Sequence, residues 1–340
     1  MRLATIFGGV ALEEKQPVRE LLVRFVPYLI ALLIFSLLPL LVPAYLQSMM
    51  TKVLVFAIFA MSLNLIWGYT GLTSLGHAAY FGVGGYTYAL LVVQYGIKSF
   101  WISAPLSILM AGLVAAAFGI VALRVKGVYF LLVTLALGQL VYYASIKWRA
   151  FTGGSDGILG IPRPDLGISG FTWNSTYFYY FILIILIISF YLLYRIVHSP
   201  FGYALQGVRD QETRMRSLGY NTWLCQYIAF IISGMFAGLS GVLFGQFLGM
   251  IHPDHVSIKM STIALLMVII GSTRIFWGPI IGAIIIVLLE YFASLYMPAR
   301  WPMILGAVFV MAVLFLRGGI SIYLERLFHK ASKWHGSTES

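Results

Sequence analysis

Charge is scarce in this chain of 340 residues: 10% are Asp, Glu, Lys or Arg, against roughly 25% in an average soluble domain. So little charge cannot cover a water-facing surface, which excludes a soluble enzyme and a disordered chain. Cysteine is nearly absent. Cys225 stands alone, so neither a disulfide framework nor a thiolate metal cluster can form within the chain. No G-x-x-x-x-G-K-[ST] phosphate loop, H-E-x-x-H motif or EF-hand spacing occurs, so nucleotide hydrolysis by a phosphate loop and these metal chemistries are also excluded. The turn-rich stretch Gly153-Gly-Ser-Asp-Gly157 has one carboxylate, too few oxygens for a calcium site. What is present in excess is apolar: 61% of residues are hydrophobic, 34 are glycine, and the mean hydropathy is +0.93. The chain reads as an all-α polytopic membrane protein.

A helix needs roughly 20 apolar residues to cross about 30 Å of hydrocarbon. That ruler gives ten segments, near 25–43, 48–67, 77–95, 101–123, 128–147, 176–194, 223–248, 260–273, 277–296 and 301–316. The eighth is too short to cross without a break or a partner. The 22 basic residues outnumber the 11 acidic ones. With a cytoplasmic N-terminus, 15 of those 22 fall on the inner side, among them Arg2, Arg24, Arg124, Lys126, Arg195, Arg209, Arg214, Arg216 and Arg274. That is the positive-inside pattern, with both termini cytoplasmic. Orientation therefore explains the net charge of +11, and nucleic-acid binding is not needed. Trp101, Trp148, Trp173, Trp223, Trp277 and Trp301 fall at segment ends, where indole favours the headgroup level. The apolar run ending at Leu12 is followed by Glu13-Glu-Lys15 without a small-residue cleavage site, so it reads as an interfacial segment and not a signal peptide.

The expected organisation is an interfacial segment 1–24, one transmembrane domain 25–316 and a cytoplasmic tail 317–340. Two connections are long: an outer loop 148–175, rich in Gly and Pro, and a charged inner loop 197–222. Segments two to five and seven to ten each hold an interrupted, glycine-rich member, Gly68 to Tyr86 and Gly271 to Ala283. Interrupted helices at matching places in two halves are what transporter repeats leave behind.

Three places could carry function. The first is Asn64 to Tyr86, with six glycines in its last 19 residues and Gly71, Ser74, Gly76, His77 and Tyr80 among them. Glycine at this density allows a broken helix, tolerated at membrane depth only where protein or a water-filled cavity covers it. A pathway lining and plain close packing both fit. Gln139 is a further polar candidate for the pathway. The second is Ser199 to Gly219, opening on a Ser-Pro start signal and ending at a glycine stop. Ala204, Val208, Met215 and Leu218 can share one face, with Arg209, Asp210, Glu212 and Arg216 polar. Such a helix lies across the cytoplasmic surface, solvated or docked to a partner. The third is Glu290, the one acidic residue within the apolar body of a segment. An intramembrane carboxylate is a functional candidate, or one paired near the outer interface.

The run Leu63-Asn-Leu-Ile-Trp-Gly-Tyr-Thr-Gly-Leu-Thr-Ser-Leu-Gly-His-Ala-Ala-Tyr-Phe-Gly-Val-Gly-Gly-Tyr86 resembles the branched-chain amino acid permeases of ATP-binding-cassette importers. So do Arg124-Val-Lys-Gly-Val-Tyr-Phe, Thr152-Gly-Gly-Ser-Asp-Gly-Ile, Ile161-Pro-Arg-Pro, Ser199-Pro-Phe-Gly-Tyr-Ala-Leu and Gly278-Pro-Ile-Ile-Gly-Ala283, in an order closest to the LivM-type subunit. The resemblance spans roughly 50–316. It implies a type II (vitamin B12-type) importer fold of about ten helices in a prokaryotic inner membrane. It also implies a LivH-like second permease, two cytoplasmic ATPases and an extracytoplasmic solute-binding protein as partners. On that reading this chain binds no cofactor, and ATP is used by the partner subunits. The 199–219 helix, with Tyr203, Val208, Arg209, Asp210, Glu212, Arg216 and Gly219, would be the coupling helix that docks into an ATPase. Leu-Ile-Trp-Gly-Tyr-Thr-Gly also resembles urea and short-chain amide permeases, so cargo stays open between the two. A self-sufficient channel or secondary transporter and an intramembrane enzyme are the other classes.

Overall fold

The structure is a computed structural model that describes residues 35–39, 42–167, 173–296, 301–315 and Gly319. The chain divides into two units, 1–47 and 48–340. Most of the expected segment 25–43, together with 1–24 and nearly all of 317–340, lies outside the described residues. The other nine expected segments each fall on a helix. They are α1 (Ala44–Thr70), α2 (His77–Ala89), α3 (Phe100–Ala122), α4 (Val128–Lys147), α5 (Ser175–Val197), α7 (Thr222–Leu248), α8 (Ile258–Gly271), α9 (Gly278–Tyr296) and α10 (Trp301–Phe315). Helix α6 (Pro200–Ser217) fills the long inner loop. Six of these, α1, α3, α4, α5, α7 and α9, are long and apolar enough to cross a membrane. Helix α2 runs on through one π-helical turn, Leu90–Gln94, and α8 has only 14 residues, as its short apolar run required.

Polar side chains set the direction of the central pair. Ser233 Oγ on α7 donates to the Ser62 carbonyl on α1, and Ser240 Oγ donates to the Val55 carbonyl at 2.8 Å. One number rises as the other falls, so α1 and α7 are antiparallel. Each has 27 residues. Each is followed by a non-α segment, 71–76 or 249–257, then by a short helix, then by two more helices. The order of elements in α1–α4 is thus similar to that in α7–α10. The second half is interrupted at 249–257 and again within the expected Gly271 to Ala283. The latter holds the turn 272–277, between α8 and α9.

Small residues allow the helices to approach backbone to backbone. A Cβ on Gly84 would strike Gly238, and one on Gly241 would strike the Phe81 carbonyl. Between α8 and α9 the same holds for Gly271 against Gly278 and for Gly282 against the Met267 carbonyl. Ala111 and Ala115 of α3 pack on Gly238 and Gly234, completing a core of α2, α3 and α7.

The loops gather at two ends of the bundle. At one end the 123–127 connection meets α6 through the Lys126–Glu212 ion pair, and α6 meets the end of α1 through Arg209 and Gly68. At the other end β1 (Ile158–Leu159) pairs antiparallel with β2 (Met250–Ile251), and Phe100 N–H donates to the Asp165 carbonyl at 3.0 Å. The Lys52–Glu290 ion pair, at 2.9 Å, lies at that second end. Trp101 and Trp148 are exposed there, as headgroup-level indoles are. Gly241→Ala should cost about 1–3 kcal/mol, because backbone rather than a flexible side chain blocks the new methyl. Gly306→Ala, with open space around it, should be neutral or stabilising. Thermal unfolding of the purified variants in detergent checks both.

Candidate functional site

Helix α1 ends at Thr70, and α2 begins at His77. His77 Nε2 lies 2.8 Å from Ser62 Oγ, and Ser62 is eight residues before the end of α1, or about 12 Å at the helical rise. The 71–76 segment therefore folds back into the bundle, and α2 starts well inside it. The backbone groups freed by the break are met by protein, as they must be at membrane depth. Leu75 N–H donates to Thr134 Oγ1 at 3.3 Å, Gly76 N–H to Ser74 Oγ at 3.3 Å, and Ala78 N–H to Ser261 Oγ at 3.0 Å. Gly71 opens the break at φ +77°, and a Cβ on Gly76 would overlap the Thr134 carbonyl. Glycine is required at both.

Ser62 Oγ gives its own proton to the Phe59 carbonyl at 2.7 Å, so it accepts from His77 Nε2–H. That fixes the tautomer and leaves Nδ1 as a bare acceptor, buried and without a hydrogen bond among the described residues. The ring stacks on Phe59 and meets Tyr80 edge-on. Asn64 Oδ1 is likewise buried without a partner among the described residues. Asn64, Ser74, Gly76, His77 and Tyr80 are thus brought together in the core around the break. Gly71 is exposed at its rim, and Gln139 is half-buried on α4. Glu290 stands apart, half-buried and paired with Lys52. Two shallow concavities, of about 450 Å³ at Leu289, Phe292 and Ile304 and about 340 Å³ at Arg216, Tyr220 and Trp223, are not lined by these core residues. Helix α4 is the least buried of the six long helices, with Tyr129, Leu132, Leu140 and Tyr143 exposed along one face.

Helix α6 is not the single amphipathic rod that its pattern suggested. Gln211 is extended, at φ −157° and ψ 90°, so α6 is two helical pieces. The residue after the break has partners on both sides of it in the fold. Glu212 is drawn to Lys126 on the α3–α4 connection, to Arg216 Nη2 at 2.7 Å and to the Thr222 hydroxyl at 3.2 Å. Of the expected apolar face, Ala204 and Val208 are buried, Met215 is half-buried and packs beside Gly207, and Leu218 is exposed. Tyr203 and Asp210 point to solvent, and Gly219 reverses the chain at φ +88°. Arg209 instead turns inward: its Nη1 donates to the Gly68 carbonyl at 2.6 Å. Partial burial pushes the Glu212 carboxyl up. The Lys126 hydrogen bond and charge, the Thr222 hydroxyl and Arg216 more than offset it, so its pKa falls below the ordinary value.

Sequence reading missed Ser62, Lys126, Thr134 and Ser261 as partners of the break and of α6. Lys126 lies within a matched motif, Arg124 to Phe130. The isolated hydroxyls gave no signal in an apolar run.

An integral, all-helical membrane protein with a broken helix in its core and a pinned polar loop at one end is the class these features define. A family model described as "Branched-chain amino acid transport system / permease component" matches residues 45–316, and the chain belongs to that family. It is 30% identical over 283 residues to the LivM permease protein of the high-affinity branched-chain amino acid transport system of Escherichia coli K12, an alignment covering 76% of this chain and 66% of the relative. The Salmonella typhimurium LivM is also 30% identical, with the same coverage. The chain thus spans a little under two thirds of the length of these relatives. The LivH permease protein of Salmonella typhimurium is 22% identical, covering 81% of this chain and 95% of the relative. No solved structure gives a significant match.

The low pKa of Glu212 sets a pH window. Its stabilisation is fully present above the ordinary value of 4.5 and is lost as pH falls through the lower folded-state value. Glu212→Gln should cost about 1 kcal/mol at pH 7. It should also flatten the decline of the unfolding temperature below pH 4.5. A detergent melt at several pH values checks both.

Proposed function

We propose that this chain is a permease subunit of an ATP-binding-cassette importer carrying leucine, isoleucine and valine across a prokaryotic inner membrane. The observation that carries the reading is the family match over 45–316, supported by relatives named as LivM and LivH permease proteins of a branched-chain amino acid transport system. The proposed assembly contains a LivH-like second permease, two cytoplasmic ATPases and a solute-binding protein outside. The fold is then of the type II importer class, with 25–43 as a further span and both termini cytoplasmic. This chain binds no cofactor; ATP is used by the partner subunits.

The exposed face of α4, with Gln139 at its edge, is the proposed wall of the pathway, closed by the second permease. The core residues around His77 hold that wall in place through Thr134. Helix α6 presents Tyr203 and Asp210 to the ATPase. Lys52 and Glu290 tie the two halves at the outer end. The orientation rests on the positive-inside pattern, whose inner members Lys126 and Arg209 meet at one end of the bundle.

The test is uptake into proteoliposomes holding this chain, its second permease and the ATPases, with labelled leucine or labelled urea, with and without ATP and binding protein. ATP-dependent leucine uptake is expected. Urea uptake in its place would keep the machinery and change the cargo, while uptake by this chain alone, indifferent to ATP, would replace the importer with a channel.

A further inference from the structure

Helix α6 carries a charged side chain that turns toward the helix bundle. The Arg209 side chain is 31% exposed, and its Nη1 donates to the Gly68 carbonyl at 2.6 Å. Its stem covers Gly71, where a Cβ would sit 3.1 Å from Arg209 Cγ. Gly68 lies in the last turn of α1, where carbonyls have lost their helical partners and the helix dipole is negative. A guanidinium satisfies both, so Arg209 caps α1 from another element. Asp210 accepts from Arg209 Nε at 2.9 Å and steers it from behind.

Only 71–76 separates this cap from the start of α2 at His77, and that segment is held at its far end by Thr134 on α4 and Ser261 on α8. So short a segment, fixed at both ends, transmits displacement in place of absorbing it. Beyond Arg209 the helix is broken at Gln211, and the next residue, Glu212, is bound to the α3–α4 connection. The first piece of α6 is thus held to α1 and the second to the α3–α4 connection, with Met215 of the second piece packed beside Gly207 of the first.

We propose that Arg209 is a positioning residue which passes the movement of the first piece of α6 to the end of α1, and through the 71–76 break to the core around His77. It is not an ATPase-docking residue. This rests on the importer reading above and deepens it, by naming where the loop grips the membrane domain.

The experiment uses the full importer complex with Arg209→Gln, Arg209→Lys and, as the docking comparison, Tyr203→Ala. Co-purified ATPase, ATP hydrolysed and leucine imported are measured together. Arg209→Gln should retain the ATPase chains while leucine imported per ATP falls about tenfold, within the range of coupling between linked sites. Arg209→Lys, which can still reach one carbonyl, should fall between. Tyr203→Ala should shed the ATPase chains. An unchanged import-to-ATP ratio in Arg209→Gln, or loss of the ATPase chains as in Tyr203→Ala, overturns the proposal. Should Arg209→Gln fail to assemble, Arg209→Lys, which keeps the charge, carries the test. A lowered ratio is then expected, and an unchanged one overturns the proposal. Failure of the importer reading shows separately, as an unmutated complex without ATP-dependent uptake.

Discussion

Hydrogen bonds that a broken helix loses inside a membrane protein must be remade by its neighbours, and this architecture is organised around one such repair. Opening the backbone between Thr70 and His77 frees amides that lipid cannot receive. Thr134, Ser74 and Ser261 receive them. Those acceptors sit on α4, within the break itself and on α8, so the repair also binds elements from both halves of the chain. The close glycine contacts follow from the same requirement, because hydroxyls of such short reach serve only if helices approach at backbone distance. Gly76 against the Thr134 carbonyl and Gly241 against the Phe81 carbonyl show how little room is left.

The polar groups of the core have unequal standing. Ser62, Ser233 and Ser240 have their protons committed to carbonyls on the same or a facing helix, and they read as fasteners. His77 is different, since its tautomer is dictated by Ser62 and its second nitrogen faces the interior without a donor among the described residues. The charged contacts divide by end. Lys52 with Glu290 joins α1 to α9 at one end. Arg209, Glu212 and Lys126 gather where α6 meets α1 and α4.

Apolar length made nine helices legible in the sequence, and glycine density marked the 71–76 break. The break at 249–257 was not legible, because its signals are slight: Gly249 in the left-handed conformation and Pro253 opening a short 3₁₀ turn. Periodicity also made α6 look continuous. The break at Gln211 adjoins a residue, Glu212, whose partner Lys126 lies 86 residues away, and no local pattern reports it. The pairing of Glu290 with a residue 238 positions distant was beyond local reading for the same reason. Arg209 was legible as part of the loop, but its inward direction depended on where α1 happens to end.

The seam between α8 and α9 has a consequence for motion. With Gly282 seated on the Met267 carbonyl and Gly271 on Gly278, neither helix can slide past the other without backbone collision. Joined by the short turn 272–277, the two helices are interlocked as one unit. The turn that joins them lies against the end of α1 as closely as the two helices lie against each other, since a Cβ on Gly68 would strike the Thr273 carbonyl.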